Sequence, residues 1–262
     1  MIFVKQNNLA SAQLRADQIA NKLNAPVYLN DLPEKIDGET IVFVKGADPD
    51  LVIRASTSGC KIIFDPIDTF SYPERLGWQH WYYFVDTVIA YNEEAADVLK
   101  QWFKNTKVIP HQWDARIEGM AKQDEFKPAY IGYGFNCPAV VPYCGVTCVN
   151  DPGDMLKALP EYNCHVSLRD TASLQSKMKP ATKVANAAAV GAVCITSPDA
   201  SVIELLPKEY PYWCSTLSSF PKVLEKAKDD FNGPVWEKAL EMMDDVKDKN
   251  SLERVAKLYD YL

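Results

Sequence analysis

The sequence predicts an α/β protein with two halves, each a mainly parallel sheet covered by helices. Two observations support this fold class. Short apolar runs of β-type residues alternate with helical patterns along most of the chain, and such alternation produces parallel sheets. The 262 residues, 47% of them hydrophobic and 24% charged, suit a globular protein of one large or two small domains.

The first half contains six predicted strands and four predicted helices. Runs rich in Ile, Val and Phe favour strands, and apolar residues repeated every three to four positions favour helices. The strands are predicted at residues 2–5, 27–29, 40–44, 61–65, 87–91 and 107–110, and the helices at 11–23, 49–57, 73–83 and 93–103. This order corresponds to one Rossmann-like half.

The second half begins after a polar passage at residues 118–127, which has the composition of a linker or exposed connector. Strands are predicted at residues 129–133, 146–149, 164–168 and 193–196, and helices at 152–159, 181–190, 220–230, 234–245 and 251–262. We therefore expect a first domain of residues 1–115, joined by the C-terminal helix 250–262 packing back on it, and a second domain of residues 116–249. The two domains are expected to face a cleft.

The segment Lys179-Pro180-Ala181-Thr182-Lys183 predicts an anion site at a helix start. Proline suits the first turn, a threonine caps exposed amides, and the N–H groups of a helix start attract anions. Lys179 and Lys183 add positive charge, and Gly191 ends the small-residue helix. The alternative is an ordinary helix–strand unit with surface lysines.

A second turn follows the strand at residues 193–196. Ser197-Pro198-Asp199-Ala200-Ser201 offers further free amides before a helix that contains Glu204. Two helix starts near adjacent strand ends predict a phosphate site between them.

The net charge and the cysteine content limit the partners and the cellular location that we expect. A net charge of -7 argues against duplex nucleic acid or an anionic membrane as partner. With no apolar span of 18 residues and no signal-peptide pattern, we expect no transmembrane segment and a cytoplasmic protein whose seven cysteines are reduced. Zinc binding by Cys137, Cys144, Cys148 and Cys164-His165 is a weaker alternative, because their spacing lacks a Cys-x-x-Cys pair.

The second half resembles the donor domain of retaining GT-B glycosyltransferases. The likeness is carried by Lys179-Pro180-Ala181-Thr182-Lys183, Asn186-Ala187, Gly191, Ser197-Pro198 and Glu204-Leu205, and in the first half by Val88-Ile89-Ala90-Tyr91-Asn92 and Val108-Ile109-Pro110-His111. Together these segments cover about a third of the chain.

The resemblance implies a nucleotide-sugar donor, UDP- or GDP-linked, bound without a metal or other cofactor, and an acceptor of unknown class. Arg169 and Lys183 would neutralise the diphosphate as the sugar leaves. Amides of Asp199, Ala200 and Ser201 would hold phosphate or sugar hydroxyls, and Glu204 would accept hydrogen bonds from hydroxyls. Lys179, Thr182 and Asn186 complete the predicted donor site.

Three residues of the first half are candidate catalytic groups. Asp65 and Asp68 follow a predicted strand, where ligand sites of α/β proteins collect, and could accept an acceptor proton or fix the loop. His111 stands at the junction between the predicted domains and is the preferred functional histidine.

Two other functions stay open at this stage. Asn186 and Met178 stand where family members commonly carry glutamates, which fits a GT-B-like nucleotide- or sugar-binding module without turnover. A two-lobed small-ligand binding protein is the second alternative.

Overall fold

The computed structural model describes residues 1–67, 82–171 and 173–262 and divides the chain into two compact units. The first unit consists of Met1–Gln112, Lys177–Pro180 and Leu252–Leu262. The second consists of Trp113–Ser176 and Ala181–Ser251. Asp68 and most of the helix predicted at residues 73–83 lie outside the described residues.

The first unit is built on a parallel six-stranded sheet in the order β2-β1-β3-β4-β5-β6. Most strand residues are fully buried, as expected for a parallel sheet covered on both faces. The strands are β1 (Ile2–Lys5), β2 (Val27–Leu29), β3 (Thr40–Val44), β4 (Lys61–Asp65), β5 (Thr87–Ala90) and β6 (Thr106–Val108). All six predicted strands are present, the last two with shifted ends.

The first unit's helices include one irregular segment. The predicted helix 11–23 consists of α1 (Ala10–Ala12), a π-helical stretch Gln13–Gln18 and α2 (Ile19–Lys22). The others are α3 (Pro49–Thr57), a 3-10 turn (Tyr82–Phe84) and α4 (Glu93–Leu99). The predicted helix 93–103 thus ends early, and Phe103, beyond it, is buried with its ring centroid 6.4 Å from that of Phe64.

The C-terminal helix α12 (Leu252–Tyr259) belongs to the first unit. Its residues Val255, Ala256 and Tyr259 are buried in the same hydrophobic cluster as Phe3 and Ile63. The predicted return of this helix onto the N-terminal half is therefore confirmed.

The second unit is built on a parallel four-stranded sheet in the order β10-β9-β7-β8. Its strands are β7 (Pro128–Ile131), β8 (Thr147–Val149), β9 (Cys164–Ser167) and β10 (Val193–Thr196). Its helices are α5 (Val140–Tyr143), α6 (Pro152–Ala158), α8 (Thr182–Ala189), α9 (Ala200–Ile203), α10 (Phe220–Asp229) and α11 (Pro234–Lys249), while α7 (Leu174–Met178) ends in the first unit. The short helix α5 was not predicted.

Helix α8 packs against α11 and the sheet. Val184, Ala185, Ala187, Ala188 and Ala189 are buried on it, because small side chains let the helix lie close to its neighbours. Gly191 follows with φ +67°, a left-handed conformation that glycine adopts without strain, so the predicted glycine stop is confirmed.

Candidate functional site

Polar residues collect in the second unit where the neighbouring parallel strands β9 and β10 end. Thr196 pairs with Ser167 at the last step of the ladder, and the Ser197 amide then donates to the Ser167 carbonyl at 3.1 Å. The Arg169 amide donates to Ser197 Oγ at 2.9 Å. The two strand exits are therefore joined by hydrogen bonds, which fixes the backbone of Arg169.

The side chain of Arg169 faces a buried carboxylate. Its Nη1 lies 3.4 Å from Asp199 Oδ2, and Asp199 Oδ1 accepts a 2.9 Å hydrogen bond from Ser197 Oγ. Asp199 is 1% exposed, whereas the Arg169 side chain is 19% exposed. The carboxylate thus orients the guanidinium and offsets part of its charge, while leaving an edge of it open to solvent.

Asp199 also has contacts that were not predicted. Its amide donates a 2.9 Å hydrogen bond to the Ser197 carbonyl inside the turn, and its carboxylate forms the ion pair with Arg169. The predicted role of the Asp199 amide in holding a phosphate stays a prediction.

Lys183 lies on the first turn of α8, and its ammonium is held over an aromatic ring. The Nζ atom is 3.5 Å from the centroid of the Tyr130 ring, a cation–π contact. Gly132, directly after β7, gives the ammonium room, since a Cβ at that position would be 2.6 Å from Nζ. The Tyr130 hydroxyl donates to the Tyr133 carbonyl at 3.2 Å and so braces the same loop.

The charges of Lys183 and Arg169 act on a shared neighbour. Burial raises the pKa of the Cys194 thiol to about 12, and the positive charges of Lys183 and then Arg169 oppose that rise. Because both cations act on one thiol in β10, they lie within electrostatic reach of the same part of the sheet. Lys183 and Arg169, both predicted donor-site cations, therefore lie within electrostatic reach of Cys194 in the second unit.

The start of α8 differs from the prediction in its cap. Thr182 is the first residue of the helix and Ala181 is the N-cap, whose methyl group offers no oxygen to the exposed amides. The predicted cap by Thr182 is therefore wrong. The helix start retains its dipole and its early N–H groups, which still favour an anion.

Asn186 and Lys179, also predicted beside Lys183, stay predictions as donor-site residues. Asn186 Oδ1 accepts a 3.0 Å hydrogen bond from the Asp114 amide, so this side chain holds the segment that follows Trp113. Lys179 belongs to Lys177–Pro180, which is part of the first unit.

Ala200, Ser201 and Glu204 lie on or next to α9, which spans only four residues. Ala200 and Ser201 are buried, and Glu204 is the exposed C-cap, so it follows the helix that was expected to contain it. Their predicted contacts with phosphate and hydroxyl groups stay predictions.

In the first unit, Asp65 lies in a buried network. Its Oδ2 accepts from Arg15 Nε at 2.7 Å and from the Tyr259 hydroxyl at 3.0 Å, and its Oδ1 accepts from the Tyr91 hydroxyl. Arg15 and Asp65 are both 0% exposed, and Arg15 also donates to the Ile109 and Pro110 carbonyls. This arrangement favours a structural role for Asp65.

His111 is also buried, at 3% exposure, with Nδ1 3.0 Å from the Gln112 carbonyl oxygen. Its ring centroid is 6.2 Å from that of Tyr91. Its catalytic role stays a prediction, and Asp68 lies outside the described residues.

The sequence reasoning missed Tyr130 and Gly132. The signal was available in the run Ile131-Gly132-Tyr133-Gly134, because a glycine directly after a buried strand often marks a close approach of backbone to another group. Spacing alone could not show that Lys183 approaches Gly132, because the two residues are 51 positions apart.

Across residues 1–67, 82–171 and 173–262, no group of three or more His, Cys, Asp or Glu side chains could hold a metal ion, so nothing in those ranges supports the zinc alternative. No helix in those ranges combines the length and the hydropathy needed to cross a bilayer.

Comparison with known proteins gives matches in structure only. No protein-family model and no curated protein sequence matches the chain. HepE (Alr3699) of Anabaena, in complex with UDP and glucose, is similar with a TM-score of 0.72 and 9% identity over 99% of this chain and 98% of that one. A glycosyltransferase from Rickettsia africae has a TM-score of 0.69 and 7% identity, over 99% and 97% of the two chains.

AviGT4, a glycosyltransferase involved in avilamycin A biosynthesis, is similar over 100% of this chain and 96% of its own, with a TM-score of 0.60 and 12% identity. At such identities the likeness is one of fold. Over nearly its whole length the chain has the fold of these GT-B glycosyltransferases, which confirms the predicted fold class and the predicted resemblance.

Proposed function

We propose that the chain is a glycosyltransferase that moves a sugar from a nucleotide-sugar donor, with the donor diphosphate bound by Lys183 and Arg169 in the second unit. The observation that carries the proposal is the placement of the Lys183 ammonium, on the first turn of α8, over the Tyr130 ring and against Gly132. The fold it shares with HepE, whose structure holds UDP and glucose, supports a nucleotide-sugar donor.

The chemistry follows from the charge that develops on the leaving group. As the bond between the sugar C1 and the diphosphate oxygen breaks, the electron pair leaves with the nucleoside diphosphate, while the acceptor atom forms the new bond to C1 and releases its proton to a base or to solvent. An ammonium, a guanidinium and a helix start near that oxygen stabilise the new charge without being reorganised during the step. Asp199 serves this role indirectly, because it holds the Arg169 guanidinium in place.

The Tyr130 contact also explains how one lysine can be kept ready for an anion. A free lysine side chain loses about 2 kcal/mol of rotamer entropy when it is fixed. Because the ring already restrains the Lys183 side chain, less of that entropy remains to be lost when the diphosphate binds.

The test is a thermal-shift and calorimetric screen with UDP, GDP and ADP against the wild type and Lys183→Ala. We expect one nucleoside diphosphate to stabilise the wild type by about 2.7 kcal/mol at a concentration 100 times its Kd. Lys183→Ala should weaken that nucleotide by about 10- to 100-fold, since a charge-assisted contact is lost. Lys222→Ala, an exposed lysine of α10 in the same unit, is the matched control.

Binding of all three nucleotides without preference, or an unchanged affinity in Lys183→Ala, would contradict the site. Turnover is measured separately, as release of free nucleoside diphosphate from its sugar-linked form. Binding without any release, with a range of acceptors, would support the alternative of a binding module without turnover.

A further inference from the structure

A pocket lies in the first unit, at the edge where strands β4, β5 and β6 begin. It has a volume of about 830 Å³. Its walls come from the amino ends of the three strands, the turn after α4 and the segment Tyr261–Leu262. A volume of this size accommodates a small organic ligand.

Lysines dominate the lining of this pocket, which we call the lysine pocket. Four of its twelve lining residues are lysines, namely Lys61, Lys100, Lys104 and Lys107, and the lining contains one side-chain carboxylate, that of Asp86, together with the α-carboxylate of Leu262. The whole chain has a net charge of -7. A local excess of two positive charges is therefore a marked departure from the average surface.

Contacts in the structure compensate only part of this positive charge. Asp86 Oδ2 accepts a 2.7 Å hydrogen bond from the Ile62 amide, which turns the carboxylate toward the strand backbone. Lys100 has an ion pair with Asp97 at 2.8 Å, but both side chains are more than half exposed, so the pair contributes little. Lys61 contacts the backbone oxygen of Leu262.

Lys104 and Lys107 are the two lysines whose charge is most available to a ligand of this pocket. Both are exposed lining residues, and across the part of the chain that the structure describes neither has an ion-pair partner. Like charges that line one concavity repel one another, and a bound anion relieves that repulsion.

We propose that the lysine pocket binds a small-molecule anion with two or more phosphate groups. Ammonium groups bind phosphate as point charges, and several of them around a concave site favour a multiply charged ligand over a single carboxylate. The exposed Tyr261 ring, 79% exposed, adds an apolar wall suited to the organic part of such a ligand. The lysine pocket does not depend on the proposed donor site. The pocket lies in the first unit, at the amino ends of β4, β5 and β6, whereas the donor site lies in the second unit.

The probe is tripolyphosphate, which has neither base nor sugar, titrated by calorimetry into the whole chain. We expect binding that weakens as salt is added, because exposed charges are screened. Lys104→Ala/Lys107→Ala should bind at least about tenfold more weakly, and Lys104→Arg/Lys107→Arg should retain affinity. Lys222→Ala/Lys228→Ala, which removes two exposed lysines of α10, is the charge-matched control and should behave as the wild type.

Lys183→Ala separates this proposal from the proposed function. Tripolyphosphate binding that survives Lys183→Ala but not the Lys104/Lys107 change assigns the anion to the lysine pocket, whatever happens to nucleotide binding. Loss in Lys183→Ala alone, equal loss in the α10 control, or an absence of binding in the wild type would overturn the proposal. Because phosphate groups also occur on lipids, vesicles with and without a phosphoinositide are tested in parallel, and cosedimentation lost in the same double variant would identify a lipid headgroup as the source.

Discussion

The Lys183 ammonium lies 3.5 Å from the centroid of the Tyr130 ring, and this contact joins the start of α8 to the strand β7. Tyr130 is fully buried in the core of the second unit, so the ring is a rigid support. A surface lysine without such a support would sample many rotamers. The contact with Tyr130 therefore distinguishes Lys183, whose ammonium is held in place, from a lysine whose side chain is free in solvent.

Gly132→Ala is predicted to displace this cation. A Cβ at residue 132 would lie 2.6 Å from Lys183 Nζ and 3.4 Å from the Tyr130 hydroxyl oxygen, and the glycine has φ +152°, where other residues are strained. We expect a loss of stability of about 1–3 kcal/mol together with a weaker nucleotide-induced thermal shift.

The control for backbone strain is Gly145→Ala in the same unit. Gly145 has φ +74°, and a Cβ there would meet nothing within 4 Å. It should lower the melting temperature while the nucleotide-induced shift stays intact. Equal shifts in the two variants would refute the steric link between residue 132 and Lys183.

Tyr130→Phe and Tyr130→Leu should have different effects on nucleotide binding. The phenylalanine variant keeps the ring under Lys183 and loses the hydrogen bond to the Tyr133 carbonyl, which costs about 1 kcal/mol of stability. The leucine variant also removes the cation–π contact, worth about 0.5–2 kcal/mol. Calorimetric titration with the preferred nucleotide should show near wild-type affinity for the first and reduced affinity for the second, and a reversed order would count against the contact.

The sheets were largely predictable because their strands are short apolar runs bounded by turn residues. Lys61–Asp65 and Val193–Thr196 are found where the sequence placed them, since the alternation of strand and helix patterns is local information. The cap of α8 was predicted less accurately, and the reason is again local. Thr182 is the residue type that caps helices, but the N-cap position is occupied one residue earlier by Ala181, with φ -82° and ψ 33°, and Thr182 is already the first helical residue.

The partners of the candidate site residues could not be predicted, because they come from distant parts of the chain. Arg15 and Asp65 are 50 positions apart, and Tyr259, which also bonds Asp65, is 194 positions from it. Only the packing of α12 onto the first unit brings that tyrosine to the carboxylate. A sequence pattern can suggest that Asp65 ends a strand, but not that three side chains already occupy its oxygens.

Asp65→Asn tests whether this carboxylate is structural or catalytic. Removing one charge leaves the fully buried Arg15 uncompensated, and such a loss costs about 3–5 kcal/mol of unfolding free energy. Urea unfolding measures it, and Asp97→Asn, which weakens the exposed pair with Lys100, should cost less than about 1 kcal/mol. A stable Asp65→Asn protein with normal nucleotide binding but no turnover would instead support the catalytic role.

His165 is predicted to make the stability of the protein depend on pH. Burial lowers the pKa of this imidazole from 6.5 to about 4, although hydrogen bonding to the Leu159 and Tyr162 carbonyls opposes the shift. Its Nε2 lies 3.1 Å from both carbonyl oxygens, so the neutral ring carries its proton on that nitrogen.

The sign of the pH effect follows from which state binds the proton. Below pH 6.5 the unfolded chain protonates this histidine while the folded protein keeps it neutral, so stability falls as pH falls from 6.5 toward 4, by up to about 1.4 kcal/mol per pH unit. Below pH 4 both states are protonated and the contribution of this residue levels off. His165→Gln, which keeps an N–H donor for the carbonyls and has no proton to gain in this range, should show a shallower decline in urea unfolding between pH 7 and pH 5. An identical decline in the two proteins would mean that other groups cause the acid sensitivity, and that the buried His165 does not resist protonation in the folded state.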